Sequence, residues 1–209
     1  MQTGIIIFMR LILIRHAESR HSIEKIIAVR SACPGLTETG FAQARALAQR
    51  LRSTGGLGEA PRLLCSPALR ARQTAEAIAS ALGLAAWEDD RLIEMDTGEA
   101  EGMTNAEYKA RYGSFSLVAE PTRPFAPGGE NWEQFTARVA AAQQAIALAH
   151  PGQTVLAVTH AGFIVVSFLM FMGISPAEQR AWIDPLHTAL TEWEWMEAKE
   201  QWRLVRYNA

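Results

Sequence analysis

Apolar residues follow two patterns along this chain: short unbroken runs, and stripes with a helical period. Residues 11–14, Leu-Ile-Leu-Ile, are branched and apolar and meet polar residues at once. Such a run predicts a strand buried on both faces of a parallel sheet. Thr154–Thr159, Thr-Val-Leu-Ala-Val-Thr, repeats the pattern. Shorter strands are predicted at 62–65, 85–92, 189–196 and 202–207, the last two joined by a turn at Lys199. Helical stripes lie between them. Thr37 caps a helix reaching about residue 52, with Phe41, Ala44, Leu47 and Leu51 on one face. Ser66 as cap and Pro67 at the first helical position predict a helix over 68–82 that stops at Gly83. Thr104 and Glu107 form a capping-box pattern for a short helix ending near Gly113. Trp132, Phe135, Val139, Ala142 and Ile146 mark a long amphipathic helix closed by His150-Pro151-Gly152. Residues 163–172 read as a core-buried helix, and a further helix is predicted near 176–182.

Strands alternating with helices predict an α/β fold: a doubly wound, mostly parallel sheet flanked by helices. No internal repeat or linker divides the chain, so one domain over residues 1–209 is expected. Within it, about residues 95–130 form a small lid or pocket wall, because 114–130 holds three prolines, two adjacent glycines and aromatics. Residues 1–8 read as an extension ahead of a start at Met9.

Composition narrows the classes. Of the 209 residues, 49% are hydrophobic and 20% charged, with a net charge of −2. That balance gives no support to a nucleic-acid footprint, which needs a basic excess. The apolar runs are too short to span a bilayer, so no membrane partner is expected. Cys33 and Cys65 have no metal-ligand spacing and read as reduced thiols of a cytoplasmic protein.

The candidate chemistry gathers at the ends of the predicted strands. Arg15 and His16 follow the first run, His160 follows the second, and Arg70 sits in the first turn of the helix after the short strand 62–65. In a doubly wound sheet these ends open onto one crevice. A guanidinium is a planar fork for phosphate or carboxylate, and an imidazole can act as nucleophile, base or ligand. On residues 11–16 alone, a strand ending at an ordinary surface Arg-His pair reads equally well. Arg70 tips the balance, since a cation in a first helical turn opposes the dipole unless an anion binds there. Two histidines with a carboxylate near Glu94 also suit a metal, but two neighbouring arginines would repel a cation. No metal and no cofactor is therefore expected. The loop 19–35 carries Arg20, His21, Ser22, Lys25 and Arg30, which read as solvated rather than ligand-facing.

Taken together, these motifs resemble the histidine phosphatase superfamily, the phosphoglycerate mutase-like proteins. Arg15-His16-Ala17-Glu18-Ser19 is similar to the family's Arg-His-Gly-Glu-Ser/Thr signature, with Ala in place of Gly. Leu36-Thr37, Gly40 and Gln43-Ala44 follow its next motif, and Ser66-Pro67, Arg70-Ala71 and Thr74-Ala75 its second arginine motif. Glu94, Gly98 and Glu101-Gly102 resemble the acid-bearing loop, and His160-Ala161-Gly162 the second histidine. The order of all five carries the resemblance, not any one of them.

The resemblance implies that His16 is the nucleophile and Glu94 the proton donor that later activates water. It implies that Arg15, Arg70 and His160 hold the phosphate, with Ser22 and Ala161 completing the phosphate-binding set. Where many relatives end the first motif in Asn, this chain has Ser22, a weaker donor, and Cys33-Pro34-Gly35 replaces a frequent Asp. The implied activity is metal-independent hydrolysis of a small phosphorylated metabolite through a phosphohistidine. Phosphoglycerate mutase-type transfer and a catalytically silent phospho-ligand-binding relative remain as alternatives, and a homodimer stays open.

Overall fold

The computed structural model describes residues 9–58 and 60–209; the extension expected over residues 1–8 lies outside the described residues. Six strands form one sheet: β1 (Met9–Arg15), β2 (Arg62–Cys65), β3 (Ala86–Glu88), β4 (Thr154–Thr159), β5 (Leu190–Met196) and β6 (Gln201–Arg206). Their order is β3-β2-β4-β1-β5-β6. The first four positions are mutually parallel, while β5 runs antiparallel to β1 and β6 antiparallel to β5. The sheet is thus mixed, with its parallel part at the centre.

The unbroken apolar runs follow from this placement. In β1, Leu11 and Leu13 enter the core on one face, with Trp132, Phe135, Phe163 and Ile164. Ile12 and Ile14 enter the other, with Leu47, Leu51, Ala71 and Ile78. Alternate side chains of β4 divide the same way, Val155 and Ala157 against Leu156 and Val158. Both central strands are therefore covered on both sides, so neither face needs polar residues. One layer is α2 (Glu38–Thr54) with α3 (Leu69–Leu82); the other is α5 (Trp132–Ala149) with α6 (Ala161–Phe171). Two short helices, α1 (Arg20–Glu24) and α4 (Asn105–Tyr112), lie in the connections.

Several local expectations needed correction. α3 begins at Leu69 with Ala68 as its cap, because the hydroxyl of Ser66 bonds to His160 as well as to the Ala68 N–H. The strand expected over 85–92 is shortened to β3. There Asp89 accepts from the N–H of Arg91 and starts a 3₁₀ turn at Asp90–Leu92. The helix near 176–182 is a single 3₁₀ turn, Pro176–Glu178, and the chain beyond it turns back to meet Arg15. The loop after β1 is not wholly irregular, since α1 lies in it and ends where Lys25 adopts a positive φ. Thr37 caps α2 by accepting from Gly40, and Thr104 with Glu107 forms the expected capping box.

Candidate active site

The register of the central strands brings the two histidines together. Arg15 of β1 pairs with Thr159 of β4, so His16 and His160 leave the sheet at the same level. The N–H of His16 donates to the Thr159 carbonyl at 3.0 Å, and that of Ser66, after β2, to Val158 at 2.9 Å. Arg70 rises from the first turn of α3 between the two imidazoles. His16, Arg70 and His160 are all nearly fully buried, at 4%, 2% and 1% exposure. A guanidinium this deep requires partners for its donors.

Those partners fix the protonation of both rings. Arg70 Nε donates to His16 Nε2 at 3.0 Å, and Nη2 donates to His160 Nδ1 at 3.0 Å. Nη1 donates to the carbonyls of Ala28 (2.9 Å) and Val29 (3.4 Å) and to Cys33 Sγ (3.3 Å). A guanidinium only donates, so each imidazole nitrogen facing it must carry a lone pair. His16 Nδ1 lies 2.8 Å from the Ala17 carbonyl, which only accepts, so that nitrogen bears the proton. His160 Nε2 is likewise the protonated nitrogen and donates to Ser66 Oγ at 2.7 Å. Electrostatics agree with the geometry. Burial first, and the Arg70 charge second, hold both imidazoles well below the ordinary histidine value. His16 is therefore a neutral ring whose Nε2 carries a lone pair, engaged by the Arg70 donor.

Around this centre lies a cavity of about 390 Å³ whose lining includes Arg15, His16, His21, Arg70, Glu94, Ala161 and Gly162. Arg15 donates through Nη1 to the Pro185 carbonyl at 2.5 Å and stands 3.8 Å from Asp184, while its buried Nε has no partner among the described residues. Glu94 follows the 3₁₀ turn that Thr159 holds through a 2.7 Å bond to the Leu92 carbonyl. Its carboxylate accepts from Met95 N at 3.1 Å and from Gly162 N at 3.0 Å. A Cβ on Gly162 would come within 2.3 Å of Glu94 Oε1, so the close approach requires glycine. Ala161 opens α6 beside His160, at the positive end of the helix.

Ser22 is not brought to the cavity. It is exposed on α1, its hydroxyl 3.3 Å from Ser19 Oγ and 3.5 Å from His21 Nε2. His21, expected to be solvated, instead lines the cavity. Its pKa is lowered to about 3 by burial and then by Arg70. His187 was not anticipated at all. Its Nδ1 donates to the His16 carbonyl at 2.9 Å, and its ring centroid lies 5.5 Å from that of His16. The signal was present: an antiparallel strand begins where its parallel neighbour ends, so residues just before β5 sit beside those just after β1. Among the described residues, no group of three His, Cys, Asp or Glu side chains is arranged to hold a metal ion.

The arrangement resembles known proteins at two levels. The model of the histidine phosphatase superfamily (branch 1) matches residues 11–209. The chain belongs to that superfamily. A histidine phosphatase superfamily match also extends to individual relatives. Phosphoserine phosphatase 1 of Hydrogenobacter thermophilus is 31% identical over 168 residues, covering 79% of this chain and 77% of the relative. The bifunctional protein Rv2228c of Mycobacterium tuberculosis is 36% identical over 152 residues, or 72% of this chain. The match spans only 41% of that relative's length. Among solved structures, a mycobacterial glucosyl-3-phosphoglycerate phosphatase, Rv2419c, superposes with a TM-score of 0.81 at 22% identity, covering 97% of this chain and 99% of that one. At that identity the likeness concerns the fold.

Proposed function

We propose that this chain hydrolyses phosphomonoesters of small metabolites without a metal, through a phosphohistidine. The observation that carries this reading is the single guanidinium of Arg70 held between His16 Nε2 and His160 Nδ1, in a cavity that Glu94 also lines. Arg70 Nε–H occupies the very lone pair that a nucleophile needs. A phosphate dianion, with three acceptor oxygens, draws that donor away and frees Nε2. Arg15 and the N–H groups opening α6 supply further donors. Ser22 is left out of this set, because it is exposed on α1, its hydroxyl faces Ser19 and His21, and it does not line the cavity.

The steps then balance. The Nε2 lone pair of His16 forms a bond to phosphorus, and the P–O bond to the alcohol breaks with its electrons moving to that oxygen. Protonated Glu94 gives its proton to the leaving oxygen. A water then attacks phosphorus while the Glu94 carboxylate takes its proton, and the P–N bond returns its electrons to His16. Through both steps Arg15 and Arg70 stabilise charge on the equatorial oxygens, and His160 joins them once the dianion draws Arg70 from its Nδ1 and that nitrogen takes up a proton. The relative named as a phosphoserine phosphatase supports hydrolysis over transfer. We place the enzyme in the cytoplasm, in keeping with two buried free cysteines.

Acid-quenched enzyme incubated with labelled p-nitrophenyl phosphate is expected to carry an acid-labile, base-stable phosphate, and turnover is expected to release free phosphate. His16→Ala should lose both label and turnover. Label retained in that variant would overturn the assignment.

A further inference from the structure

The cavity changes character with distance from His16. Its charged lining residues, Arg15, Arg70 and Glu94, all stand at the phosphate end with the histidines. The rest of the lining is largely apolar and includes Ile26, Ile27, Met95, Leu117, Phe125, Trp132 and Trp182. Leu117 and Phe125 rest on the same core as Met95 and Trp132, and Phe125 stacks on Tyr108 at 4.6 Å between centroids, so this wall is held in place. Trp182, which also lines the cavity, leaves 62% of its surface exposed.

The nearby cations of the lid are engaged elsewhere. Arg111 pairs with Glu99, while Arg123 pairs with Glu120, donates to the Tyr112 carbonyl and lies over Phe115. His21 offers no charge near neutral pH, since burial and Arg70 keep it un-ionised. Apart from Arg15 and Arg70, which the phosphate engages, no described lining residue offers a substrate carboxylate a counter-charge, so burying one there is strongly unfavourable. An apolar group there would instead remove hydrocarbon from water.

We propose that the alcohol released by this enzyme is uncharged and apolar, an aromatic or branched-chain group seated between Ile26–Ile27, Leu117–Phe125 and Trp182. The inference rests on the phosphomonoesterase reading above and adds a substrate class that differs from a phosphorylated amino or hydroxy acid. Exposed Asn105 at the rim allows one neutral polar handle on such a group.

The test compares kcat/KM for esters whose alcohols are similarly basic, so that leaving-group chemistry does not decide the result. 2-Phenylethyl phosphate and isopentyl phosphate are expected to exceed phosphoserine, 3-phosphoglycerate and glycerol 3-phosphate by at least about tenfold. Leu117→Arg should narrow or reverse the ratio of 2-phenylethyl phosphate to 3-phosphoglycerate. Exposed Trp182→Ala, which carries little folding risk, should raise KM for 2-phenylethyl phosphate several-fold and KM for glycerol 3-phosphate by a clearly smaller factor. If p-nitrophenyl phosphate is turned over but the acidic esters are preferred, the substrate class is wrong and the phosphatase reading stands. If no ester is turned over and no phosphoenzyme forms, the phosphatase reading fails and takes this inference with it.

Discussion

Arg70 holds five acceptors at once, and no other side chain reproduces that geometry. Lysine keeps the charge but loses the planar fork, so Arg70→Lys should leave at least one imidazole unpartnered. Its turnover of p-nitrophenyl phosphate is expected to fall by about a hundredfold or more, since electrostatic donors of this kind are worth that much each. Steady-state assay beside a melting curve separates lost chemistry from lost fold. Gly162 supports the other half of the site by leaving room for the Glu94 carboxylate. In Gly162→Ala the carboxylate must move, and proton transfer to an alkoxide leaving group should slow by about 10²-fold. Hydrolysis of p-nitrophenyl phosphate, whose leaving group needs little acid help, should slow much less. Equal slowing of the two ester types would remove Glu94 from the role of acid. Arg15, His16, Arg70, Glu94 and His160 could be singled out from sequence because each follows a strand or opens a helix. Ser22 could not be placed that way. Its position depends on how α1 folds inside a long loop, and no periodic pattern reports that.

Helices and strands differ in how plainly they announce themselves. β1 and β4 were legible because a strand covered on both faces has no polar alternation to obscure it. β3 was overextended, since Asp89 starts a turn that interrupts an otherwise strand-like stretch. The segment after α6 was misread as a second helix, because its conformation is set by long-range bonds, among them Thr188 N–H to the Arg15 carbonyl at 2.9 Å. Caps were reliable local signals at Thr37 and Thr104 but not at Ser66, and one more escaped notice. Asn131 opens α5 by accepting from Gln134 N at 2.8 Å, Gln134 answers to Asn131 N, and Asn131 Nδ2 holds the Thr122 carbonyl. Asn131→Ala is therefore expected to cost about 1 kcal/mol in denaturant unfolding. A change well below half that value would show that the cap bonds are replaced by water.

At the scale of the whole molecule, four histidines with lowered pKa values make stability depend on acidity. Burial is the leading cause for His16, His21, His160 and His187 alike, with neighbouring guanidinium charges adding to it. In the unfolded chain each titrates near about 6.5. Above that pH both states are neutral at these sites and the fold keeps its full stability. As pH falls below it, the unfolded chain gains protons that the folded chain refuses, and stability declines toward the low folded values. The melting temperature should therefore fall between about pH 7 and pH 5, and His21→Gln should flatten that decline. An unchanged slope in the variant would mean that His21 titrates alike in both states. The strand order has a consequence of another kind. β1, which ends in Arg15 and leads into His16, is made well before both of its sheet neighbours, β4 and β5. A nascent chain stalled after β3 holds a bare Leu-Ile-Leu-Ile ribbon with both edges unpaired, the kind of segment that aggregates or recruits holding chaperones. β4 and β5 must both be made before Arg15 and His16 can do any chemistry.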